Sequence, residues 1–313
     1  MESYRDHSSW HNYRAILRSE FDLVIDCEPN ERWDEVLGHD IHIDEWTACL
    51  DASVAPPTPA SHGTVILVHG GGGNGRVLAP FAQSIAKMGW RVLAPDLPGF
   101  GITRPASDWR GNYEAWPAVL AELADRQDKP VVLIGASMGG LTALYAAQVM
   151  RQPPLAVVAT TLLDLSDPGT FVRAARWRVL GWLSLFSARL MPWIMDRLSL
   201  PLNIAAPLEA MSANEKMTEY FQTDALLGAR WLPLRFWRTT HAFRFTLPDL
   251  PCPLVLVHPR ADEWTPPNES LGTFEKISSE KRFVLLPSGS HLPIEPGALA
   301  ALMQEIGAVL GGS

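Results

Sequence analysis

The chain has 313 residues, of which 47% are hydrophobic, 9% aromatic and 19% charged, the proportions of a folded globular protein rather than a disordered, collagenous or coiled-coil one. Its 26 Lys and Arg against 34 Asp and Glu give a net charge of −8, which argues against nucleic acid as the main partner. About 75% of the unfolded surface can be buried at this length, so one large core with an insertion, or two unequal domains, is expected.

Three cysteines, Cys27, Cys49 and Cys252, are few, odd in number and far apart, with no CxxC pair for zinc or a redox couple. This usage points to a reducing cytoplasm. The first thirty residues are too charged for a signal peptide. The most apolar region, Val179 to Leu208, is interrupted by Arg189, Asp196 and Arg197, so no transmembrane span is expected.

Residues 1–38 read as an N-terminal extension, helical around Tyr13 to Phe21 and then acidic and irregular, with no function assigned. Ile41 to Trp46 alternates as a half-exposed strand, and Pro56, Pro57 and Pro59 mark a loop. From Thr64 the pattern changes. Thr64 to Val68, Arg91 to Ala94, Val131 to Ile134, Ala156 to Val158, Leu254 to Val257 and Phe283 to Leu286 are short apolar runs, as expected of strands buried on both faces. Helical candidates lie between them at Val77 to Lys87, Tyr113 to Asp125 and Gly140 to Met150. The class is therefore α/β, a mostly parallel central sheet covered by helices, with the core in residues 39–164 and 246–313.

The rhythm stops over residues 165–245, which read as a helical insertion rich in Trp and Phe. It holds ten Lys and Arg against six Asp and Glu, a local positive excess. Two readings stay open: a separately packed lid with a solvated rim, or aromatics lining an apolar substrate pocket while arginines meet a negative group.

The loop His69 to Arg76, after the first buried strand, brings backbone N–H groups close to any ligand. Gly70, Gly72 and Gly75 satisfy the dinucleotide pattern GxGxxG, with Asp96 where a ribose-binding acid would stand. The same glycines have phosphate-loop spacing, but Arg76 and Val77 replace the Lys and Ser or Thr that such a loop needs for phosphate and magnesium. The third possibility is an oxyanion loop of the His-Gly-Gly-Gly kind.

Gly135-Ala136-Ser137-Met138-Gly139 follows a buried strand and opens a helix, the strand–GxSxG–helix context of a nucleophilic serine. The glycines leave room for a sharp turn at Ser137, and the N–H of Met138, at the helix start, points toward a developing negative charge. A serine needs a base. Among nine histidines, His291 follows the last buried strand and so falls at the same sheet edge. His69, next to the glycines, is read as shaping the glycine loop, and His258 ends another strand. His39 and His42 invite a metal reading without an evident third ligand. The imidazole needs a carboxylate. Asp262, after the strand Leu254 to Val257, is the first choice, with Asp164 the main alternative.

The order Ser, Asp, His, together with Val68 to Gly71, Asp96-Leu97-Pro98-Gly99-Phe100-Gly101, Gly135 to Gly139, Asp262 and His291, resembles the α/β-hydrolase superfamily from Thr64 to the C-terminus. The resemblance implies that Asp96 is not a ribose ligand, that residues 165–245 are the lid, and that Gly71 N–H is the second oxyanion donor beside Met138. It further implies a lidded serine esterase or lipase-like enzyme acting by acyl transfer on a small, apolar acyl substrate, with no cofactor or metal. Amides, thioesters and carbon–carbon bonds remain rival substrates. A non-catalytic receptor on the same fold is the rival from another class.

Overall fold

The computed structural model describes residues 2–47, 62–128, 130–243 and 249–311. The proline loop at residues 56–59, Cys49 and the insertion's end at Phe245 lie outside the described residues.

The main sheet is built from β1 (Asn30–Val36), β2 (His39–Trp46), β3 (Thr64–Val68), β4 (Arg91–Pro95), β5 (Val131–Gly135), β6 (Ala156–Ala159), and, beyond the short antiparallel pair β7 (Ser199–Pro201) and β8 (Trp231–Pro233), β9 (Leu254–His258) and β10 (Lys281–Leu285). Its order is β1-β2-β4-β3-β5-β6-β9-β10. Strands β1, β2 and β4 pair antiparallel and every other neighbour is parallel. The central strands β3, β5 and β6 are buried along their whole length. That is why they read as unbroken apolar runs rather than alternating ones.

The helices, in chain order, are α1 (Ser8–Phe21), α2 (Ala79–Lys87), α3 (Ala115–Asp125), α4 (Met138–Val149), α5 (Pro168–Ala174), α6 (Arg178–Leu190), α7 (Pro192–Met195), α8 (Leu202–Ala205), α9 (Glu215–Thr223), α10 (Leu234–Ala242), α11 (Pro267–Glu275) and α12 (Pro296–Gly311). Between β6 and β9, α5 to α10 and the antiparallel pair β7–β8 form the inserted unit. It is fastened to the core by Arg230, whose guanidinium donates to the carbonyls of Gly99 and Gly101.

The reading of residues 1–38 as a segment apart from the core needs correction, because β1 is the edge strand of the main sheet. Its sequence Asn-Glu-Arg-Trp-Asp-Glu-Val carries four charges on a mostly half-buried edge, which hides the apolar alternation. The two-residue turn Leu37-Gly38, both with positive φ, closes the β1–β2 hairpin. Helix α1 is also integral. Tyr13 stacks on Tyr220 of the insertion at 5.4 Å between ring centroids, Ser9 Oγ and Tyr220 Oη are 3.0 Å apart, and Glu20 meets Lys216.

Behind the glycine loop lies a buried charge network. Arg76 pairs with Asp44 through two 2.6 Å bonds and approaches Glu31, while His42 sits between Glu31, Asp44 and Asp96. Glu31, His42 and Asp44 have a metal-like spacing, yet the guanidinium of Arg76 is the cation among them. Cys252 is free and buried, whereas Cys27 is disulfide-bonded, so cysteine usage does not by itself argue for a reducing compartment. No helix among the described residues is long and apolar enough to cross a membrane.

Candidate active site

Ser137 stands between β5 and α4 at the carboxyl edge of the sheet, where open α/β sheets place their ligands. Its φ of 56° and ψ of −131° are a conformation that costs a non-glycine residue roughly 1–3 kcal/mol and persists only where its surroundings enforce it. The enforcement is visible. A Cβ on Gly135 would lie 2.3 Å from the carbonyl oxygen of Gly139, and one on Gly139 would lie 2.2 Å from that of Val68. The turn can be this tight only with glycine at both positions.

The loops after β9 and β10 bring the other two groups to the same edge. His291 Nε2 lies 2.8 Å from Ser137 Oγ, and His291 Nδ1 lies 2.8 Å from Asp262 Oδ2. The other carboxylate oxygen, Oδ1, accepts the backbone N–H groups of Trp264 and Thr265 at 3.0 and 2.8 Å. Both oxygens are therefore committed, and the carboxylate is held in one orientation. His291 and Asp262 are buried. With Nδ1–H donating to Asp262, Nε2 is left as the acceptor facing the hydroxyl, the tautomer that proton abstraction requires. Asp164, the alternative acid, is elsewhere: its Oδ1 accepts the N–H and hydroxyl of Ser166.

Gly71 and Met138 both line the cavity above Ser137. Among the described residues, neither of their N–H groups has a hydrogen-bond partner within the chain. Two free donors beside a hydroxyl and at the start of α4 suit an oxyanion.

The rival readings of the glycine loop meet specific obstacles. Asp96 is buried, with Oδ1 accepting Gly75 N–H at 2.7 Å and Oδ2 accepting Ile102 N–H and the Tyr4 hydroxyl at 2.9 Å each, so it braces the loop rather than facing a ribose. Arg76 is turned into the charge network, not toward a phosphate. His69 shapes the loop: Nε2 accepts Leu97 N–H at 2.9 Å, which leaves Nδ1–H to donate to Gly70. Burial lowers the pKa of His69. His258 is buried with Nδ1 on Pro259, and burial lowers its pKa too.

Over Ser137 opens a cavity of about 230 Å³, lined by Leu163, Leu165, Phe171, Leu180, Leu234, Trp237 and further aliphatic side chains of the insertion. Among the described residues, no charged side chain lines it. Four of the insertion's arginines are paired away from it, Arg173 with Glu269, Arg176 with Glu209, and Arg235 and Arg238 with Asp196, and Arg178, Arg189 and Arg197 are exposed. Of the insertion's aromatics, Phe171 and Trp237 line the cavity whereas Trp177, Trp182, Phe186, Trp193 and Trp231 are exposed, and among the described residues no arginine lines it.

One site residue escaped the sequence. Trp264 packs its ring on His291 at 4.8 Å between centroids, and its indole N–H reaches the carbonyl of Ala174 in the insertion. Its place two residues after Asp262 was the only signal available.

The sequence and the fold agree with known proteins. Residues 65–302 match the model of the alpha/beta hydrolase family. Over 118 residues the chain is 36% identical to a pimeloyl-[acyl-carrier protein] methyl ester esterase of Xanthomonas oryzae pv. oryzae, covering 37% of this chain and 42% of the relative. Over 116 residues it is 34% identical to lipase LipV of Mycobacterium tuberculosis, again 37% of this chain and 42% of the relative. The match thus spans about two-fifths of the length of these curated relatives. In structure it superposes with a TM-score of 0.72 on a soluble variant of monoglyceride lipase from Saccharomyces cerevisiae, at 14% identity, covering 94% of this chain and 99% of the other. The chain belongs to the alpha/beta hydrolase family.

Proposed function

We propose that the protein is a carboxylic ester hydrolase working through an acyl-enzyme on Ser137. The observation that carries this reading is the relay Ser137–His291–Asp262, closed by two 2.8 Å contacts at the floor of a cavity whose described lining is uncharged.

In the first step His291 Nε2 takes the hydroxyl proton as Ser137 Oγ attacks the carbonyl carbon, and Asp262 stabilises the imidazolium. The N–H groups of Gly71 and Met138 hold the tetrahedral oxyanion, each lowering the barrier by about 3 kcal/mol. The proton passes from His291 to the departing alkoxide. Water then attacks the acyl-enzyme with His291 again as base, and Ser137 is released with its proton. The apolar lining suits an aliphatic acyl or alcohol chain, and residues 165–243 act as the lid that keeps the reacting carbonyl from bulk water. The similarity to an esterase and a lipase supports the same bond class.

The test is a panel of p-nitrophenyl esters of increasing acyl length beside matched amides and thioesters. Esters with chains long enough to fill the cavity should give the highest kcat/KM, and Ser137→Ala should abolish turnover. Preferential cleavage of the amide or thioester set would overturn the ester assignment.

A further inference from the structure

Helix α6 turns an apolar face away from the protein. Val179, Trp182, Phe186 and Leu190 are exposed along it, and Trp193 of α7 extends the strip. Trp182 is 58%, Phe186 61% and Trp193 61% exposed. Single exposed apolar residues are ordinary, but a contiguous strip of aromatic and aliphatic side chains marks an interaction surface.

At 3.6 residues per turn, Arg178 and Arg189 fall within roughly 20° of each other on one border of the strip. Trp182, Phe186, Val179 and Leu190 cover roughly the next 100°, and Leu183 forms the far border. There the helix turns inward to Leu180, Ser184 and Ser187, which line the cavity. Leu183, Met191 and Leu198 belong to both surfaces, exposed outside and lining the cavity within. The strip is therefore the rim of the cavity's mouth.

Its charge is one-sided. Residues 168–197 hold five arginines against one acid, Asp196, which is taken up by Arg235 and Arg238. Arg178, Arg189 and Arg197 are exposed and, among the described residues, have no carboxylate partner, although their neighbours Arg173 and Arg176 do.

We propose that this face docks onto an anionic phospholipid surface, with the aromatic and aliphatic side chains among the acyl chains and the three arginines on the headgroup phosphates. A second copy of the chain is the poorer occupant, since its matching face would bring more arginines and no acid. Interfacial helices with cations beside a Trp, Phe and Leu face bind in this way. Docking of this kind sets the cavity mouth against the lipid, so that an apolar ester enters without crossing water. That consequence rests on the hydrolytic reading above, whereas the docking itself does not.

The test is flotation of the full chain with vesicles of phosphatidylcholine alone and of phosphatidylcholine mixed with phosphatidylglycerol. Binding to the mixed vesicles should be tighter by on the order of 10- to 100-fold. Joint substitution Trp182→Ser, Phe186→Ser and Trp193→Ser should abolish it while leaving thermal stability and hydrolysis of a water-soluble ester unchanged. Joint Arg178→Gln, Arg189→Gln and Arg197→Gln should erase the preference for the anionic lipid. Ser137→Ala should float as the wild type does, which separates docking from hydrolysis. The proposal is overturned if the wild type stays unbound with both vesicles, if the variant lacking Trp182, Phe186 and Trp193 still binds, or if sedimentation shows a dimer that those three substitutions dissociate.

Discussion

Replacing Asp262 by Asn is the sharpest test of how the relay works, because the change is nearly isosteric and its effect follows from hydrogen-bond polarity. In the native chain Oδ1 accepts two backbone N–H groups, from Trp264 and Thr265, and Oδ2 accepts Nδ1–H of His291. An asparagine has one oxygen and one NH2 group. Facing two fixed backbone donors, the oxygen must take the Oδ1 position, which leaves the NH2 pointing at His291 Nδ1. The ring then has to accept at Nδ1 and carry its proton on Nε2, aimed at a hydroxyl whose proton it can no longer take. The same tautomer reversal in serine proteases lowers kcat by about 10⁴, or about 5.4 kcal/mol of barrier. Both backbone bonds survive, so the fold and melting temperature should change little. Steady-state kinetics on a p-nitrophenyl ester, with circular dichroism to confirm folding, decide the matter. A folded variant within tenfold of wild-type kcat would refute the reasoning.

Other expectations follow from single contacts. Removing the ring that packs on His291 by Trp264→Ala should lower kcat by up to about tenfold, the worth of one aromatic pair, and Trp264→Phe should restore most of it; equal kinetics for the two variants would count against a positioning role. Gly139→Ala drives a Cβ to 2.2 Å from Val68 O and should cost about 3 kcal/mol or more, seen as a melting temperature lower by roughly 5 °C or more. Stability should also vary with pH through the network behind the glycine loop. Burial opposes charge on His42, but its bonds to Asp96 and Glu31 prevail and raise its pKa to about 10, so its contribution is complete below the unfolded value near 6.5 and fades as pH climbs toward 10. Burial likewise works against the charged form of Glu31, yet bonding from His42 and the charge of Arg76 lower its pKa to about 2, so its share is complete above about 4.5 and fades as pH falls toward 2. Melting curves should therefore be highest between about 4.5 and 6.5, and His42→Gln should remove the alkaline decline.

The sequence carried the core because parallel strands buried on both faces leave uninterrupted apolar runs, and five of the six runs named from it coincide with strands to within a residue or so at their ends. The sixth, Phe283 to Leu286, begins two residues late because Lys281 and Arg282 open β10 on an exposed edge. The same cause hid β1. Ser137, His291 and Asp262 could be named because each follows a legible strand, so one rule of topology brings them to one edge. Tertiary contacts left no such trace. Nothing in the chain's order says that Tyr4 reaches Asp96, that Tyr13 stacks on Tyr220, or that Arg76 rather than a metal fills the space between Asp44 and Glu31. The insertion's aromatics divide between the cavity, as with Phe171 and Trp237, and the outer surface, as with Trp182 and Trp193, and only the fold decides which is which.

Treatment with an organophosphonate, followed by intact-mass measurement and peptide mapping, bears most directly on whether the hydroxyl at position 137 is nucleophilic. One phosphonyl adduct per chain should form on Ser137, with no adduct on Ser137→Ala and a greatly slowed reaction on His291→Ala. A folded wild-type chain that stays unmodified, or that is labelled at another residue, would contradict the account.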